Sequence, residues 1–172
     1  MKKSIGFLLT LIIAALAAHW ATVTAFPRLA MSQAMEQLGA GGVNAVSHAP
    51  RTTASSRAVV RPAPDLLYSV CVYDLWQAPV IIQASPSPGY WSLSLYDQRS
   101  DNFAVFNDQT HPEGLSVTLV RAGAAAPPGA GLVVESPSRT GIALMRRLAP
   151  EEASFAAADA QRQGDSCRAA QR

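Results

Sequence analysis

PDLLYSVCVYDLWQAPVIIQASPSPGYWSLSLYDQRSDNFAVFND, residues 64–108, holds every tyrosine, tryptophan and phenylalanine that follows Pro27 except Phe155. Its side chains alternate. From Tyr90 to Tyr96 the residues Trp91, Leu93 and Leu95 point one way and Ser92 and Ser94 the other, the period of a strand with one dry face, whereas a helix would scatter the three apolar groups. Leu67 to Leu75 is denser: Tyr68, Val70 and Val72 fall on one side, and Ser69, Cys71, Tyr73 and Leu75 on the other, as expected of a strand covered on both faces. Val80 to Ala84 is a third, shorter run. The segments between, Trp76 to Pro79 and Ser85 to Gly89, carry prolines and a glycine that interrupt a ladder and mark turns. The simplest arrangement is three antiparallel neighbours in sequence order.

Outward from this stretch, further runs read as strands: Phe103 to Phe106, Leu115 to Val120, Leu132 to Glu135 and Thr140 to Leu148, with Ala58 to Arg61 as a possible edge. Pro150 to Gln163 has the composition of a helix with its acidic residues at the favourable end, closed by Gly164. The expected fold class is mainly β: an antiparallel β-sandwich of seven or eight strands, with an N-terminal transmembrane helix and a short C-terminal helix. The 172 residues, less their N-terminal segment, leave about 145, enough for one such domain and not for two. The division expected is 1–26 anchor or signal segment, 27–57 short helix and linker, and 58–172 sandwich.

Ile5 to Ala25 contains no Asp, Glu, Lys or Arg and as a helix would extend roughly 31 Å, the thickness of a bilayer core. Lys2 and Lys3 precede it, so the positive-inside rule keeps the N-terminus cytoplasmic and carries the rest across. The expected location is a single-pass bacterial inner-membrane protein whose C-terminal domain lies in the periplasm. A cleaved signal peptide is the alternative, since Val23-Thr24-Ala25 is an acceptable cleavage signal, although the apolar run extends beyond a typical signal core. In either case an exported chain with two cysteines, Cys71 and Cys167, fits one disulfide stapling the tail to the sheet. Pro27 to Leu38 reads as a separate short helix with Met31, Met35 and Leu38 on one face, and Val43 to Arg57 as a polar strap or spacer.

Charged residues are only 15% of the chain and its formal net charge is +2, too sparse for a nucleic-acid surface. The sequence lacks GxSxG, HExxH, a phosphate-binding glycine loop, a dinucleotide fingerprint and CxxC, so neither a cofactor nor a metal site is expected and no catalytic residue can be named. His48, in a Ser/Thr-rich loop, reads as solvated. Ligand-binding candidates are Asp65, Tyr68, Tyr90, Tyr96, Asp97, Arg99, Asp101 and Asn102, whose carboxylates could supply an acid and a base and whose tyrosines could form a platform. The competing reading is that Asp97 to Asn102 merely builds a strand connection.

Asp65 to Ser69, Tyr73-Asp74-Leu75, Ala78-Pro79-Val80, Tyr90-Trp91, Tyr96-Asp97, Asp101-Asn102-Phe103 and Asn107-Asp108, in this order and spacing, resemble the bacterial family called domain of unknown function 1254. The resemblance covers Arg61 to Asp108. It implies a β-sandwich and no established activity. Larger members join this domain to a second, domain of unknown function 1214, and the resemblance is to a small membrane-attached subgroup in which that companion would be a separate polypeptide. The chain departs from the family at Leu66, where a threonine is frequent, so no role requiring a hydroxyl is carried to that position. The function expected is therefore a non-enzymatic envelope protein binding a partner or ligand. The alternative is a carbohydrate-binding or carbohydrate-acting protein using the Asp65, Asp97 and Asp101 region.

Overall fold

In the computed structural model, which describes residues 2–53, 55–56 and 62–170, two sheets face each other across one core. The elements in chain order are helix α1 (Lys2–Leu38), a 3-10 turn (Gly39–Gly41), β1 (Val46–His48), β2 (Leu66–Asp74), β3 (Val80–Ala84), β4 (Trp91–Asp97), β5 (Asn102–Asn107), β6 (Leu115–Arg121), β7 (Leu132–Ser136), β8 (Thr140–Leu148), α2 (Glu152–Arg162) and β9 (Ser166–Ala169). One sheet has the order β1-β2-β8-β4-β5 and the other β7-β6-β3-β9. Every pair is antiparallel except β6 with β7. The mainly-β sandwich is thus as expected, with nine strands among the described residues; the edge at Ala58 to Arg61 lies outside them. Val46–His48 and Ser166–Ala169 are strands that the alternation did not mark, being too short to show a period.

The order of the strands differs from the simplest reading. β2, β3 and β4 are not neighbours: β8 lies between β2 and β4, and β3 belongs to the opposite sheet. The proline-bearing turns around β3 carry the chain across the core instead of folding it back beside itself. β2 and β4 therefore each pair with β8, from a distant part of the chain.

The core between the sheets is filled by Trp91, Leu93 and Leu95 of β4, Cys71 and Tyr73 of β2, Val80 and Ile82 of β3, Val117 and Leu119 of β6, and Met145 of β8. Each such side chain contributes about 1.5–3 kcal/mol by leaving water. Cys71 and Cys167 form the expected disulfide, joining β2 of one sheet to β9 of the other. Tyr73 closes one end of this core. Its hydroxyl donates to the Tyr96 carbonyl and bonds Ser136, and burial pushes its pKa up to about 12. Gly141 is required beside it, since a Cβ there would meet both the Tyr96 carbonyl and the Tyr73 ring.

α1 is one continuous helix through Pro27, with no break after the apolar span. The proline lacks the N–H that would bond Val23, and the helix absorbs the loss of a single bond at this exposed turn, where Arg28 also donates to the Thr24 carbonyl. Residues such as Leu8, Ile12, Leu16, Trp20 and Phe26 are exposed around the whole helix, a surface that is stable in lipid and not in water. One helix is therefore long and apolar enough to cross a membrane.

Candidate functional site

The outer face of the five-stranded sheet is built in three rows. Register places Val72, Ile142 and Tyr96 side by side, then Val70, Leu144 and Ser94, then Tyr68, Arg146 and Ser92. The first row and part of the second are apolar; the third is polar. The last turns of α1 cross the apolar end, packing Met31, Ala34, Met35 and Leu38 against Val70, Val72, Ile142 and Leu144. At the other end the chain after β1 forms a strap. Ala49 N–H donates to the Tyr68 carbonyl, and Ala63 N–H donates to the Tyr68 hydroxyl. Arg51 fastens the strap to α2 through Glu152 and the Phe155 ring.

Between helix, strap and sheet lies an apolar cavity of about 500 Å³, lined by Met31, Leu38, Pro50, Tyr68, Val70, Tyr96 and Leu144 among others. This falls within the roughly 300–1,000 Å³ of small-molecule sites. Sequence reading missed the cavity because α1 and the strap form its walls, and nothing local to either announces where they land. It did find Tyr68 and Tyr96, two of the residues that line it.

The two arginines at the polar end of β8 face opposite ways. Arg147 points into the sandwich, 1% exposed, and its fork donates to both oxygens of Asp165 at 2.7 and 2.6 Å and to the Ser85 carbonyl at 2.7 Å. Asp165 in turn accepts the Ser85 N–H. This knot ties the β3–β4 connection to the segment before β9. Arg146 points outward, half-buried, and donates from Nη2 to Ser94 Oγ at 2.7 Å. Its Nε is buried without a partner, and no carboxylate among the described residues pairs with it.

His48 is not a solvated loop residue. It lies in β1 with Nδ1 2.9 Å from Ser69 Oγ, and burial, then the Arg162 cation, lower its pKa below the ordinary value. A serine beside a histidine invites a nucleophile reading. The geometry opposes it, because Ser69 is buried and the two nearby acids are engaged elsewhere, Asp165 by Arg147 and Asp159 by Arg162.

The expected ligand residues divide. Asp97 Oδ1 accepts the N–H groups of Arg99 and Asp101 at 2.7 and 3.0 Å, and Arg99 lies between the carboxylates of Asp97 and Asp101. These residues, with Asn102 at the start of β5, build the β4–β5 turn, and Ser100 within it donates to the Pro27 carbonyl of α1. Asp65 is exposed just before β2, at the other end of the sheet: Leu66 pairs with Leu148 and Asp97 with Gly141, so roughly 20 Å of strand separates them. Asp65 does not converge with Asp97 and Asp101. Tyr90 is exposed, with its hydroxyl donating to Ser92. Among the described residues no three His, Cys, Asp or Glu side chains are grouped to hold a metal ion.

The model of a family described as "Protein of unknown function (DUF1254)" matches residues 43–169. No curated protein matches the chain. In fold it is similar to the crystal structure of the VPA0106 protein from Vibrio parahaemolyticus, with a TM-score of 0.66 at 16% identity over 87% of this chain and 36% of that one. An uncharacterised protein from Burkholderia cenocepacia has a TM-score of 0.47 at 18% identity, over 74% of this chain and 34% of its own. The chain thus spans about a third of the length of these proteins.

Proposed function

The chain belongs to the DUF1254 family, a membership that carries a fold and no reaction, and from that premise we propose that it is a membrane-anchored envelope domain that holds an apolar ligand in the cavity beneath its strap. The observation that carries this reading is the apolar cavity walled by the same helix that has the length and composition to span a bilayer. Met31, on the cavity wall, follows Ala25 by only six residues, about 9 Å of helix. A ligand partitioned in the lipid would need to travel little beyond the head groups to enter. The disulfide supports an oxidising compartment, and the two lysines before the span support a periplasmic domain. Binding and not catalysis is favoured because the described residues that line the cavity offer tyrosines, prolines, hydroxyls and aliphatic groups but no acid–base pair. A carbohydrate site drawn from Asp65, Asp97 and Asp101 would need these groups together, and roughly 20 Å of strand separates Asp65 from Asp97.

Photolabelling tests this. With the full chain in phosphatidylcholine nanodiscs, a hexadecyl probe carrying a diazirine should label Met31, Val70 and Leu144 as mapped by mass spectrometry, and Val70→Trp, which fills the cavity, should remove most of that label. Labelling confined to residues 5–25 would mean that the chain meets lipid only through its helix.

A further inference from the structure

We infer that Arg146 is the head-group site of this cavity, and that the ligand is a single-chain amphiphile with a carboxylate head, a long-chain fatty acid. The inference rests on the cavity reading and adds the ligand's chemistry. A guanidinium taken from water is costly unless an anion meets it. The neighbouring Arg147 shows the solution for a structural arginine in this chain, both oxygens of a buried aspartate. Arg146 has no such partner. All twelve acidic side chains belong to described residues, and none forms an ion pair with it; among the described residues its one acceptor is the neutral hydroxyl of Ser94, and its Nε, like that of Arg147, is buried without a partner.

Its position suits a head group. Leu144, two residues earlier on the same face of β8, lines the cavity, and so does Tyr68, the cross-strand neighbour of Arg146. Arg146 is not itself on the cavity wall but stands one step of the register beyond it, beside Tyr68, with Ser92 across from it and Ser94 accepting from its Nη2. A planar carboxylate matches the arginine fork with two parallel bonds. About 500 Å³ suits one acyl chain and not the two of a phospholipid.

The test uses the full chain in phosphatidylcholine nanodiscs and two diazirine probes of equal chain length, palmitic acid and the corresponding alcohol. The acid should label Val70 and Leu144 about tenfold more than the alcohol, the scale of a charge-assisted bond. Arg146→Gln should bring the acid down to the alcohol's level without reducing labelling by the alcohol, which also reports that the cavity has folded. Arg146→Lys, keeping a cation but not the fork, should fall between. Equal labelling by both probes in the unaltered chain, or an acid preference that survives Arg146→Gln, would overturn the head-group assignment and leave the cavity reading standing. Absence of cavity labelling by either probe would overturn both.

Discussion

Arg146 and Arg147 are adjacent in the chain and opposite in environment. One peptide step along β8 turns a side chain from the sealed interior to the outer face. Arg147 is locked to Asp165, with both side chains almost fully buried, and serves to hold two distant connections together. Arg146 has one hydroxyl partner and no anion. The difference separates charge used to build the molecule from charge left for something outside it. Substitution should separate the two in the same way.

The largest expected effect is at the interior. Arg147→Met leaves the Asp165 carboxylate buried and unpaired and should destabilise the domain by about 3–5 kcal/mol, whereas Arg146→Met should change stability by less than about 1 kcal/mol, both measured by urea unfolding. Adding Asp165→Leu to Arg147→Met should restore much of the loss, since an apolar pair can replace a buried ionic one. Equal losses at the two arginines would erase the contrast and make Arg146 structural.

Next comes the covalent tie across the same interior. Cys71 and Cys167 are separated by 96 residues, and replacing both by alanine should cost about 2–4 kcal/mol, seen as a lower urea midpoint matched by the reduced wild-type chain. No difference between oxidised and reduced protein would show that the packed core and the Arg147–Asp165 knot hold the sheets in place without the covalent tie.

The smallest effect sharpens the comparison through pH. His48 lies near the interior knot, facing Ser69, with Arg162, Arg147, Asp165 and Asp159 around it, and burial and the Arg162 cation hold its pKa below 6.5. The unfolded chain therefore takes up this proton first. The contribution of neutral His48 is complete above pH 6.5 and is lost as pH falls through the folded-state pKa. His48→Gln should flatten the fall in stability that begins below pH 6.5, measured as melting temperature against pH. Asp74, held below its ordinary value chiefly by hydrogen bonds from Arg139, loses its contribution only as pH falls below the ordinary carboxylate range.

Much of this was legible in the chain itself. The alternation of Trp91, Leu93 and Leu95 marked a strand whose inner face is core, and Val80–Ala84 and Thr140–Leu148 were bounded where the strands begin and end. Tyr68 and Tyr96 stood out as ligand candidates and do line the cavity. Asp65, Asp97 and Asp101 stood out for the same reason, their polarity near strand ends, yet Asp97 and Asp101 are bound up in one turn and Asp65 stands apart. A carboxylate that starts a turn and one that serves a ligand look alike until the register places them.

The amino-acid sequence by itself determined seven of the nine strands found among the described residues, that one N-terminal stretch is apolar enough for a membrane, and that two cysteines were available to pair. These follow from periodicity and composition, which are local. Only the tertiary structure decided that β8 inserts between β2 and β4, that His48 meets Ser69, that Asp165 reaches Arg147 and leaves Arg146 alone, and that α1 and the strap enclose a cavity. Each of these depends on which distant residues share a neighbourhood, and a strand's pattern specifies what faces inward without specifying what it will face.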